Sequence, residues 1–219
     1  SSIFYLTTLF NLPFSNFYLF NLSPVFFMGF ANIILYKRIS SYLDQTKTTY
    51  LLYLSLFSLI FINIFFYRLG EHGTDRSAMI LIFILTIELL HLINQKRNVD
   101  QSFFLRPVIL ITLIISLKTF YILYCLLFIP VIWYFKKKNI SLIFFFQKSV
   151  SYVCLGMILS LLTVNFFNSG CLLYPVKFTC FESFSWSIPL NEVEAMNNWY
   201  QQWAKAGANP NFRVENPEV

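Results

Sequence analysis

Pro107–Phe135 reads PVILITLIISLKTFYILYCLLFIPVIWYF, 29 residues whose one charge is Lys118. The stretch is either one long helix interrupted by a lysine or two short helices. The two would be Pro107–Leu117 and Phe120–Phe135, meeting at Ser116-Leu117-Lys118-Thr119. The first arm would rise only about 16 Å, about half the hydrocarbon thickness of a bilayer. So short a helix survives where protein surrounds its end or a cavity admits water.

Charge outside the stretch chooses between the readings. As a hairpin, it leaves the connectors Lys37–Thr49, Gln95–Arg106 and Lys136–Lys148 on one side. These hold ten of the 16 basic residues. The other side holds Arg68, Arg76, Lys118, Lys177, Lys205 and Arg213, offset by Glu71, Asp75, Glu182, Glu192, Glu194, Glu215 and Glu218. A single helix would carry Lys136-Lys137-Lys138 to the outside. The positive-inside rule therefore predicts the hairpin.

The wider composition fits this setting. The chain is 57% hydrophobic and 12% charged, with a mean hydropathy of +0.62. Soluble domains carry about 25% charged residues. The net charge of +6 comes from basic residues lying between apolar runs. No basic stripe is interleaved with a soluble fold, which argues against nucleic-acid binding. The 27 Phe are discounted as a functional signal, because A/T-rich codons would raise Phe in any case.

Taken in order, Ser1–Leu12 is too short to cross and stops at Pro13. The expected spans are 17–36, 50–67, 78–94, the short hairpin 107–117/120–135, and 149–165. The chain opens without Met in the middle of an apolar pattern and reads as a fragment. The expected fold is an all-α polytopic transmembrane helix bundle over 1–167. An extracytoplasmic C-terminal segment, 168–219, follows. It carries one amphipathic helix, Asn191–Ala206, capped by Asn191, with Met196, Trp199, Tyr200 and Trp203 at helical spacing.

The densest polar chemistry before that tail is Arg68–Ser77, between two apolar runs. It brings Arg68, Glu71, His72, Asp75 and Arg76 together, with Gly70 and Gly73 permitting tight turns. Glu88 and His91 stand three apart on one helix face and can touch. Cys125 and Cys154 read as buried small hydrophobes. Cys171 and Cys180 are nine apart, and on an oxidising side they can pair to staple the loop around Tyr174-Pro175.

Glu-His-Gly-Thr-Asp-Arg at 71–76, the break around Lys118, and Asn-Ser-Gly-Cys-Leu-Leu-Tyr-Pro-Val at 168–176 resemble a group of uncharacterised bacterial inner-membrane proteins. Thr179-Cys180-Phe181 and Ser185-Trp186-Ser187 fit it too. That group is similar to GT-C glycosyltransferases, polytopic enzymes that use lipid-linked sugars. The resemblance implies a polyprenyl-phosphate sugar as donor and a lipid-linked glycan as acceptor. It also implies a catalytic acid in the first extracytoplasmic loop, upstream of Ser1.

Such a transfer needs a carboxylate to deprotonate the acceptor and cationic groups or a metal to stabilise the departing phosphate. Glu71, His72 and Asp75 are the candidates for the first task and for holding a divalent metal ion. Arg68, Arg76 and Lys118 are the candidates for phosphate. The competing structural readings are an ion-pair network within the 68–77 turn and a Lys118 that snorkels to the interface. Two other functions stay open: a transporter or flippase of a lipid-linked glycan, and a non-catalytic membrane scaffold. No Walker loop, GxSxG, HExxH or paired-Cys zinc motif occurs.

Overall fold

The structure, a computed structural model, describes residues 22–44, 49–65, 75–94, 104–138 and 148–206. Among them it is helical without strands. The elements are α1 (Leu22–Asp44), α2 (Tyr50–Phe65), α3 (Asp75–Asn94), α4 (Leu105–Leu117), a 3₁₀ helix (Thr119–Phe128), α5 (Ile129–Lys137), α6 (Ser149–Ser169) and α7 (Leu190–Ala206). Two compact units divide between Ile158 and Leu159, inside α6 rather than at its end.

In the first unit α3 is the hub, touching α1, α2, α4, the 3₁₀ helix and α5. Its Ile80, Ile84, Leu85, Ile87 and Leu92 are almost wholly buried. Ala31 and Leu35 of α1 and Ile62 of α2 close on this face. The outward faces are no less apolar. Phe26, Phe30 and Tyr36 of α1, Phe57 and Ile60 of α2, Leu126 and Trp133 of the second hairpin arm, and Tyr152 of α6 are all exposed. Meanwhile Ser55, Ser58, Ser77, Glu88, Thr112 and Ser116 are buried. The interior is thus branched aliphatic side chains with a few small or polar residues among them, while large apolar side chains also cover the outside, which a water-facing surface disfavours. Three described helical stretches are long and apolar enough to cross a membrane: Arg76–Asn94, Thr119–Lys137 and Ser149–Ser169.

The chain breaks at Lys118, whose φ of −152° and ψ of 116° are extended. Two hydroxyls bond back within α4, Thr112 to the Val108 carbonyl and Ser116 to the Leu113 carbonyl. Such back-bonding bends helices. Beyond the break the backbone winds as 3₁₀ for ten residues, a long run for that helix type. It returns to α where Pro130 enters the first turn of α5, a position that needs no N–H donor. The Phe104 ring lies 5.9 Å from Phe128 and 5.2 Å from Phe135, centroid to centroid. In one straight helix Phe104 and Phe135 would stand about 46 Å apart. The two arms therefore lie side by side as a hairpin.

Several boundaries differ from the sequence reading. α1 continues through Lys37 and Arg38 to Asp44, because its last turns carry inward-facing side chains rather than a connector. Asp75, Arg76 and Ser77 are the opening residues of α3, not loop. α6 runs on to Ser169. α7 starts at Leu190, and its cap is not Asn191. The Leu190 N–H donates to the Glu182 carboxylate at 3.2 Å, and the Pro189 carbonyl accepts from Glu192 and Val193. A carboxylate at that end also meets the positive pole of the helix dipole.

In the second unit the end of α6 leads into a loop closed by the Cys171–Cys180 disulfide. The Thr179 hydroxyl organises the loop, donating toward the Leu173 and Val176 carbonyls and accepting from the Leu173 N–H. Gly170 makes the turn out of α6 with φ +75°, its N–H on the Phe166 carbonyl. A Cβ there would lie 2.5 Å from the Ser187 Cβ, so both the backbone and the space require glycine. Gly170→Ala is expected to lower stability by at least about 1–2 kcal/mol, the cost of a left-handed backbone for an L-residue. Gly156→Ala, with nothing within 4 Å of the added Cβ, should not lower it. Thermal melts of the two variants in detergent check this, and an unshifted G170A melt would contradict it.

Candidate functional site

Of the residues singled out in the sequence, Arg68, Glu71 and His72 lie outside the described residues. Asp75 opens α3, and Arg76 follows it, partly buried. Lys118 stands at the hairpin break, half-buried between buried Ser116 and Leu117 on one side and buried Tyr121 on the other. Its backbone bridges the two arms. The N–H donates to the Ile114 carbonyl and the carbonyl accepts from Tyr121, both at 3.1 Å. Cys171 and Cys180 are bonded to each other in the second unit. Among the described residues no three His, Cys, Asp or Glu side chains gather to hold a metal.

The structure adds a polar seam between α1 and α3. The Arg38 guanidinium is paired with the Glu88 carboxylate, and both side chains are nearly withdrawn from the surface, at 16% and 11% exposure. One turn nearer the helix ends, the Tyr42 hydroxyl shares a hydrogen bond with His91 Nδ1 at 3.2 Å. Arg38 and Tyr42 are four apart on α1, and Glu88 and His91 three apart on α3, so each pair presents one face. The matched order shows that α1 and α3 run parallel. α2, which joins them in sequence, runs in the opposite sense, so that Asn32 in the first half of α1 meets Asn63 near the end of α2. There the two amides exchange hydrogen bonds of 3.2 and 3.0 Å.

Glu88 and His91 thus do share a face, but each reaches across to α1 for its hydrogen-bond partner. Sequence reasoning missed the other half of the seam because Arg38 and Tyr42 sit where a basic, polar connector was expected. The available signal was their i, i+4 spacing, matching the polar pair on α3. Chemically, a guanidinium already neutralised by a carboxylate is a poor free anion site. The seam's evident task is to fix two helices in register.

The second unit holds a separate polar group. Lys177 and Glu194 form an exposed ion pair of 2.7 Å that ties the disulfide loop to α7. Such a pair contributes little, about 0–1 kcal/mol. Burial raises the pKa of the Tyr174 phenol, and Tyr200 and the Glu192 carboxylate reinforce the shift.

The Arg38–Glu88 pair makes a direct prediction. Removing one member strands the other charge, which costs about 3–5 kcal/mol for a buried pair. Arg38→Ala and Glu88→Ala should each lower the melting temperature strongly. The double variant should lose far less than the sum, because it leaves no stranded charge. A double-mutant cycle by thermal unfolding in detergent measures this, and additive losses would contradict the pairing.

The chain belongs to the family described as "Domain of unknown function (DUF8201)", whose model matches residues 1–215. No curated protein and no solved structure matches the chain.

Proposed function

We propose that this member of the family is a multi-pass protein of a bacterial inner membrane, a GT-C-like bundle that handles a lipid-linked sugar. Its activity would be that of a glycosyltransferase-like enzyme of cell-envelope glycan assembly. The membrane setting is supported by the apolar outward faces set against the buried serines and ion pair. Water around those faces would leave Phe30, Tyr36, Phe120, Trp133 and Tyr152 each more than 60% exposed without a covering phase. The Cys171–Cys180 disulfide supports an extracytoplasmic place for the C-terminal segment, because such bonds persist in oxidising compartments.

The lipid-phosphate part of the proposal rests on the break at Lys118. A lysine between two apolar arms is costly in lipid and by default faces a cavity or a partner. Extended backbone at that point ends α4 after 13 residues, short of a full crossing. In this reading Lys118 meets the phosphate of a polyprenyl-phosphate sugar, with Arg76 and Arg68 as further cations. Glu71, His72 and Asp75 serve the acceptor hydroxyl or a divalent metal. The partners are the bilayer, the lipid-linked donor and a glycan acceptor, with no nucleic acid.

The test is the lipid that accompanies the purified full chain. Mass spectrometry of lipids retained in mild detergent should show polyprenyl phosphates enriched over the bulk membrane extract. Lys118→Met should reduce that enrichment by about tenfold or more, the loss expected for one charge-assisted hydrogen bond. Lys118→Arg should keep most of it. A lipid profile equal to the bulk in all three proteins would contradict the reading and favour a scaffold.

A further inference from the structure

The end of α6 carries aromatic side chains from a loop that folds back along it. Phe166, one turn before the helix ends, is the centre of the group. Its ring lies 5.9 Å from Phe181, 5.3 Å from Phe184 and 6.5 Å from Trp186, all edge-on. Phe184 and Trp186 stack on each other at 4.7 Å. Edge-on and stacked rings at these separations are the favoured geometries of aromatic pairs.

The loop's backbone holds the rings at that level. The Asn165 amide donates to the Leu172 carbonyl, so the loop is tied one turn below the tip of α6. Phe181 donates to the Gly170 carbonyl and Ile188 to that of Ser169. The disulfide fixes the two ends of the first arc, and Gly170 supplies the reversal. The rings therefore stand beside the last apolar turn of α6 instead of projecting beyond it.

They are not a core. Phe167 is 64% exposed, Phe181 47%, Trp186 46% and Phe184 36%. Polar residues are interspersed among them: Asn168 in the last turn of α6, and Glu182, Ser183, Ser185 and Ser187 in the loop. Aromatic bodies mixed with small polar groups suit the zone where headgroups meet acyl chains, in which Trp and Tyr are enriched.

We propose that the loop 171–187, with Phe166 and Phe167, is a collar that rests in the interfacial layer of the bilayer around the emerging end of α6. Its partner is the lipid surface. The assignment to lipid rests on continuity, since the cluster is built on the last turn of a helix that is long and apolar enough to cross a membrane. It rests on the membrane reading above and adds the depth and orientation of the outer loop. The disulfide and Gly170 then serve the collar by keeping its rings turned back toward the lipid.

Fluorescence quenching in lipid nanodiscs tests this with the full chain. The native chain has four tryptophans, Trp133, Trp186, Trp199 and Trp203. One variant keeps only Trp186 and another keeps only Trp133, on the outward face of α5, the others being replaced by Phe. Nitroxide lipids labelled near the headgroup should quench Trp186 at least about twofold more than lipids labelled deep in the chain, and aqueous acrylamide should quench it weakly. Trp133 should be quenched by lipid whatever the fate of the collar.

Lipid quenching of Trp133 without that of Trp186 would overturn the collar and leave the membrane reading intact. Loss of both would overturn the two together. Trp186 shielded from acrylamide yet untouched by lipid nitroxides would mean that a protein surface covers it, which also overturns the proposal. If either variant fails to fold, the native chain labelled with fluorotryptophan gives the same contrast. Its Trp186 resonance, assigned with Trp186→Phe, should broaden with headgroup nitroxide and not with an aqueous gadolinium chelate.

Discussion

Arg38 and Glu88 set the terms for the first unit. A guanidinium and a carboxylate held at the α1–α3 seam must stay together, since separating them would strand a charge among Leu and Ile side chains. The pair fixes the rotation and height of α1 against α3, and Tyr42–His91 repeats the constraint one turn on. Asn32–Asn63 then sets α2 against α1. In the lipid setting proposed for these helices there would be little hydrophobic force to choose one register over another. Close packing and interhelical hydrogen bonds make the choice. The buried Ser55 and Ser58 of α2 fit the same logic, letting backbones approach where bulky side chains would hold them apart.

With α3 seated in this way, the hairpin has a surface to lie on. α4 packs along α3, and the second arm returns beside α4 until Phe128 and Phe135 meet Phe104. The rings close the open end of the hairpin, and Lys118 marks the other. The 3₁₀ winding of the returning arm has a geometric consequence. At about 2.0 Å per residue it covers roughly 20 Å in ten residues, where an α-helix would need about 13. The returning arm therefore outreaches α4 and brings Lys136-Lys137-Lys138 past the start of its partner. Lys137 and Lys138 there lie over the rings of Trp133 and Tyr134.

How much of this could be read from the residues depends on whether the signal is local. The apolar runs and the interruption at Lys118 are local, because hydropathy and a single charge are visible in a short window. The partner of Glu88 is not local, since Arg38 lies 50 residues away. Its basic character also matches a positive-inside connector, so the sequence alone places the helix end before it. The cap of α7 is likewise not a local signal. Asn191 has the chemistry of a cap, yet it stands inside the first turn of a helix that starts at Leu190, and Glu182, eight residues before that start, holds the end instead. In the candidate site, the sequence located the lysine at the hairpin break and the cysteine pair. It treated Asp75–Ser77 as loop because charge and glycine dominate Arg68–Asp75, while helix begins within that polar run.

The central claim is that lipid, not water, covers the outward Phe, Tyr and Leu side chains of the helices. It is tested most directly by the reactivity of single cysteines in intact membranes. Cysteine would replace Phe57 on α2, Tyr152 on α6 or Asn168 at the end of α6, in a chain lacking Cys125 and Cys154. A membrane-impermeant maleimide should label the Asn168 position in sealed cells and spare Phe57 and Tyr152 until detergent is added. Equal labelling of all three before detergent would show that water reaches those faces and would contradict the account.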